Sequence, residues 1–102
     1  MLKESPTSFD ANNLLGALLL QKECFQDALE HFNAALNVNN NIASAWSNRS
    51  LALKGLGRYE EALVSVDRAI KLDSKFPDSY YNKANILGKL GNLNEAITAL
   101  DI

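Results

Sequence analysis

Apolar residues along this chain recur at helical spacing. Trp46, Leu53 and Leu56, then Leu63, Val66 and Ile70, fall three or four residues apart or at multiples of that, so each set occupies one face of a helix. A short turn separates the two sets, Gly-Leu-Gly-Arg-Tyr at 55–59, and Lys-Leu-Gly-Asn-Leu at 89–93 repeats it. Gly57 and Gly91 stand where a helix commonly ends in a left-handed residue. Glu60 and Glu61 then follow in the first turn of the next helix, where acids offset the helix dipole. Pro77 suits a first helical position, because the N–H it lacks would have had no partner there. Asn39, Asn40 and Asn41 before Ile42 predict a turn with capping side chains.

The pattern has a period. Ala28, Ala62 and Ala96 are 34 residues apart, and in register with them come Gly16, Ser50 and Ala84; Phe25, Tyr59 and Leu93; Phe32, Val66 and Leu100; and Ala35 with Ala69. The units predicted are 9–42, 43–76 and 77–102, each a pair of antiparallel helices, after a lead-in over 1–8. The small columns let paired helices approach closely, so a bulky replacement at Ala62 is expected to cost about 1–3 kcal/mol through overpacking.

These residues resemble the tetratricopeptide repeat, whose pattern is matched by Trp46, Ser50, Leu53, Tyr59, Ala62, Val66 and Ala69. The resemblance spans residues 9–102 and implies an all-α, right-handed α-solenoid of antiparallel helix pairs. The third unit is expected to be incomplete, since Ile97, Leu100 and Ile102 mark a second helix that stops short of its counterparts. That points to a fragment of a longer array, or to a bare end that pairs with another copy. Arg49 and Lys83 stand where leucine is common, so their stems are expected to pack while their charges reach water. Asn12 replaces the aromatic of the first unit and Glu23 its turn glycine, which predicts a less regular unit.

Composition narrows the chemistry. The chain has 102 residues, 47% hydrophobic and 22% charged, with a formal charge of -2 and no basic run, so nucleic acid is not an expected partner. The longest apolar run, residues 14–20, is far shorter than a bilayer span, and neither a signal peptide nor a membrane partner is expected. One cysteine excludes an internal disulfide, and one histidine beside it excludes a Cys/His metal cage. A reducing, cytoplasmic setting is expected. Cys24 and His31 lie about 10.5 Å apart along one helix axis, too far for nucleophile activation. They are read as an incidental thiol and a solvated histidine. No catalysis, metal or cofactor is expected. Asn48-Arg49-Ser50 spells a glycosylation triplet, but inside a predicted helix it is discarded.

What remains is the inner wall that the resemblance implies, lined by the first helix of each unit and used to bind an extended peptide or helix of a partner. Its expected contacts are Asn13 and Ala17; Ser47, Asn48, Leu51 and Lys54; and Asp78, Tyr81, Asn82, Asn85 and Lys89, with Asp10, Leu14 and Ser44 alongside. Asn48 and Asn82, one repeat apart, offer carboxamides that can hold a peptide backbone. Family members that grip an acidic C-terminus use a clamp of lysines, asparagines and an arginine. Asn48 fits it, whereas Asn13, Ala17, Asp78 and Asn82 occupy its other places. The Asn48 and Asn82 column is closer to the asparagine ladder of O-linked N-acetylglucosamine transferase, which Leu14 breaks in the first unit. Two alternatives stand beside peptide binding: self-association through exposed repeat ends into a homo-oligomer, and a docking segment of a larger enzyme such as a glycosyltransferase.

Overall fold

The computed structural model describes residues 8–91 together with 97, 98 and 100. Five helices follow one another: α1 (Phe9–Gln21), α2 (Phe25–Val38), α3 (Ala43–Gly55), α4 (Tyr59–Leu72) and α5 (Pro77–Lys89). No strand occurs among the described residues. Ile97, Thr98 and Leu100 are helical, and the rest of the second helix expected in the third unit lies outside the described residues, as do Leu93, Ala96 and Ile102.

Each helix start and stop has a local cause. Ser8 caps α1 by accepting from the Ala11 N–H at 3.2 Å, and Pro77 occupies the first turn of α5. The stretch before α3 differs from expectation. Its N-cap is Ile42, with no side-chain bond, and Asn39 Oδ1 instead accepts from the Asn41 N–H in a local turn. At the end of α3 the Arg58 N–H bonds the Leu53 carbonyl and the Gly57 N–H the Lys54 carbonyl, both at 2.9 Å, with Gly57 at φ 77°. The end of α1 repeats this geometry without glycine. Cys24 N–H bonds Leu19, Glu23 N–H bonds Leu20, and Glu23 itself takes φ 61°. The first unit's turn is therefore as regular as the second's, and the irregularity expected there is confined to a side chain held in the left-handed region.

Packing follows the small columns. Ala28, Ala35, Ser50, Ala62 and Ala69 are fully buried, beside the large side chains of Phe32, Leu53, Val66 and Ile86. Each of those large apolar groups contributes about 1.5–3 kcal/mol by leaving water. At Gly16 the fit is tight: a Cβ there would lie 2.6 Å from the Phe32 ring, so α1 lies against α2 at a distance only glycine allows.

Helices α1 and α2 pack together, as do α3 and α4. Between units α3 packs on α2 and α1, and α5 on α4 and α3, while the backbones of α2 and α4 stay more than 8 Å apart at Cα. The first helices are thus the closer row and the second helices the wider one. A stack spaced in this way curves, with α1, α3 and α5 on its inner wall. The result is an elongated α-solenoid of 49 × 25 × 18 Å.

Both ends of the stack expose apolar side chains. Ala45 and Ala52 on α3, and Ser79 and Ile86 on α5, are fully buried. Their repeat equivalents on α1 are Ala11 and Leu18, and Leu18 is 47% exposed, with Leu15 45% exposed beside it. At the other end Ile97 and Leu100 are 51% and 59% exposed, whereas the repeat equivalent of Leu100, Val66, is fully buried.

Candidate functional site

Successive first helices meet in two joints, α1 to α3 and α3 to α5, and the expected contact residues divide between them. Asp78, Tyr81, Asn85 and Lys89 are exposed on α5, and Asn48, Leu51 and Lys54 on α3 and Asn13 and Ala17 on α1 are half-buried. Leu14, beside them on α1, is 61% exposed. Ser47 and Asn82 are placed differently from the expectation. They are buried, and Asn82 Nδ2 donates to Ser47 Oγ at 2.8 Å. The bond between Asn82 Nδ2 and Ser47 Oγ holds α3 to α5.

The same bond is not made in the first joint. Asn13 and Asn48 are the repeat equivalents of Ser47 and Asn82 in neighbouring units, separated by the same 35 residues. Yet Asn13 Oδ1 is buried without a partner among the described residues, and no hydrogen bond is made by the Asn48 carboxamide. A buried acceptor left unpaired costs about 1–3 kcal/mol.

The opposite face of α3 carries a second arrangement. At 3.6 residues per turn, Trp46 and Arg49 project away from Ser44, Asn48 and Leu51. Arg49 Nε donates to Asn33 Oδ1 on α2 at 2.6 Å, and its guanidinium lies 5.6 Å from the Trp46 ring centroid, within cation–π range. Arg68 of α4 approaches the same ring at 5.4 Å. Trp46 Nε1 donates to the Asn40 carbonyl at 2.8 Å, a bond repeated one unit later by Tyr80 Oη and the Ser74 carbonyl at 2.8 Å. Lys83, the equivalent of Arg49, pairs with Asp67, the equivalent of Asn33, at 2.8 Å. The charges of Arg49 and Lys83 were expected to reach water; both remain partly exposed and also bond to the preceding unit's second helix. Burial holds the Arg49 guanidinium below the ordinary arginine range, partly offset by Glu61.

The pair weighed for catalysis is not assembled. Cys24 is exposed at the start of α2. His31 is not the solvated residue expected, because its Nδ1 lies 2.9 Å from Asn12 Oδ1. Asn12, in the place of the aromatic, is buried and also donates to the Ser8 carbonyl at 3.0 Å. Among the described residues no group of three or more His, Cys, Asp or Glu side chains is placed to hold a metal ion, and no helix is long and apolar enough to cross a membrane. The pairing of Arg49 with Asn33 was missed from the sequence. Its signal was a column at constant offset, Asn33 to Arg49 and Asp67 to Lys83, each 16 residues apart.

Comparison with known proteins agrees with this architecture. Residues 52–91 match the TPR repeat model. A stretch of 37 residues is 54% identical to an uncharacterized protein of Methanocaldococcus jannaschii, covering 36% of this chain and 43% of that protein. Among solved structures, the TPR2B domain of yeast Sti1 in complex with pHsp70 superposes with a TM-score of 0.88 at 25% identity, over 91% of this chain and 74% of that one. The MamA protein gives 0.88 at 21% identity, over 95% of this chain and 53% of that one. The second TPR of Spaghetti bound to an HSP90 peptide gives 0.87 at 22% identity, over 94% and 89%. The match thus spans less than half of the archaeal relative and about half of MamA. Taken with the five helices in register, these findings show the α-solenoid fold of tetratricopeptide-repeat proteins, with residues 52–91 matching the repeat itself.

Proposed function

We propose that the chain is a protein-interaction module that holds an extended segment of a partner against the inner wall of α1, α3 and α5. Asn48 bonds the partner's backbone there, and Tyr81, Lys54 and Lys89 select among its side chains. The observation that carries this reading is the first joint, where the half-buried Asn48 carboxamide makes no hydrogen bond among the described residues. It is supported by relatives of the same fold whose structures contain peptides, Sti1 with pHsp70 and Spaghetti with an HSP90 peptide. The acidic-tail clamp is not the mode proposed, since only Asn48 fits it and Asp78 sets an acid in a place where a cation belongs. Asn82 is assigned a structural role, and Ser47 with it. The setting proposed is the cytoplasm, with no cofactor.

The test is selection of a random dodecapeptide library on the immobilised chain, followed by amide chemical-shift mapping with a selected peptide. Shifts concentrated on residues 44–54 and 78–89, and weakened by Asn48→Ala, are the expected result. Shifts confined to α2 and α4, or affinity unaltered by Asn48→Ala, would overturn it.

A second reading, self-association, is favoured by the exposure of Leu15 and Leu18 on α1 and of Ile97 and Leu100 at the other end. Light scattering over a concentration series decides it: mass rising with concentration supports assembly through these ends, and a constant monomer mass rejects it.

A further inference from the structure

The two joints differ on their outer faces as they do on their inner ones. In the second joint the cation of α5 is neutralised, Lys83 against Asp67. In the first the equivalent acid is an asparagine, so Arg49 is bonded through Nε but keeps its full charge. No carboxylate lies within ion-pair distance of Arg49 among the described residues. The nearby Glu61 is already engaged, both its oxygens bonded to Arg58 at 2.7 and 2.9 Å. Arg49 also borders a cavity of about 540 Å³ between α2 and α3, whose other polar lining is Asn33, Asn37, Asn40 and Trp46. No acidic residue lines it.

We propose that this cavity is a second binding site, on the outer side of the solenoid, which takes a carboxylate from an acidic peptide segment. The incoming group brings the negative charge that Asp67 brings in the next unit, beside Asn33. The geometry suits it. With Nε occupied by Asn33, the terminal nitrogens of Arg49 make no hydrogen bond among the described residues, and a guanidinium edge matches a planar carboxylate with two parallel bonds. The Asn37 carboxamide likewise makes no bond among the described residues and can donate from the α2 side. Arg68, held at the same indole, adds positive charge from α4. Because Arg49 is half-buried, a carboxylate reaching it is less screened by water than at an exposed cation. The site is independent of the inner groove, from which Trp46 and Arg49 project away.

The test uses the whole chain and an acetylated, amidated tetraglutamate peptide at low ionic strength, read by the fluorescence of Trp46, the only tryptophan. A saturable change is expected with tetraglutamate and none with tetraglutamine. Arg49→Gln should weaken binding at least tenfold. Asn33→Asp, which installs the internal acid of the second joint, should weaken it as much while leaving the melting temperature equal or higher. Gln21→Glu, the same change of charge on an exposed turn of α1, should leave affinity unchanged. Absence of a saturable response, undiminished binding by Asn33→Asp, or an equal loss with Gln21→Glu would each overturn the proposal.

Discussion

The first and second joints are built on one plan and completed differently. In the second, Asn82 bonds Ser47 on one face of the helix row and Lys83 pairs with Asp67 on the other. In the first, the equivalent places hold Asn13, Asn48, Asn33 and Arg49, and their donors and acceptors are only partly used. A polar group spent on its neighbour fixes the stack. One left unspent is available to a ligand, at a cost in stability that apolar packing elsewhere must offset.

The largest effect should come from apolar packing within the first unit, between α1 and α2. Phe32 is fully buried and presses on Gly16, so Phe32→Ala should cost about 3–5 kcal/mol in denaturant unfolding, with Val66→Ala, its shorter equivalent, costing less. Gly16→Ala probes the same contact from the other side. Although alanine favours helices, its methyl would meet the Phe32 ring, and a loss of about 1–3 kcal/mol is expected. Gly88→Ala, where nothing lies within 4 Å of the added atom, should be neutral or gain up to about 1 kcal/mol.

The polar difference between the joints is the next effect in size. Asn82→Ala should cost about 1–2 kcal/mol, because it removes a buried bond and leaves Ser47 unpaired. Asn48→Ala should stay within about 0.5 kcal/mol. The two asparagines looked interchangeable in the sequence, and equal costs would remove the distinction drawn between them. Smaller again is the turn after α1: Glu23→Gly should gain about 0.5–1 kcal/mol by relieving a left-handed glutamate, raising the melting temperature. The smallest effect is at Arg58 and Glu61. The hydrogen bond from Arg58 holds the Glu61 carboxyl below its ordinary range. Its contribution is present above the unfolded carboxylate pKa and is lost as pH falls through the depressed folded value. Arg58→Gln should therefore narrow the stability gap from the parent only in acid.

The periodic features were legible in the sequence and the pairwise ones were not. Alanines at a 34-residue spacing, with glycine at the turns, define how helices nest, and that information sits in residue size alone. Whether Asn82 faces solvent or Ser47 depends on how far two helices slide and rotate against each other, which size does not record. His31 was read as solvated because it lies too far along its helix from Cys24 to pair with it, and Asn12 reaches it from 19 residues away. Arg49 and Lys83 were recognised as departures from an apolar column, but their use became visible only beside Asn33 and Asp67. Those residues lie on the second helix of the preceding unit, which a reading confined to one helix face passes over.

Hydrogen exchange of the side-chain carboxamides in the free chain, measured by NMR, tests the contrast between the joints most directly. The Asn82 Nδ2 protons, buried and bonded to Ser47, should exchange slowly with water, and those of Asn48 at close to the rate of an exposed asparagine. Equal rates, or slower exchange at Asn48, would contradict it.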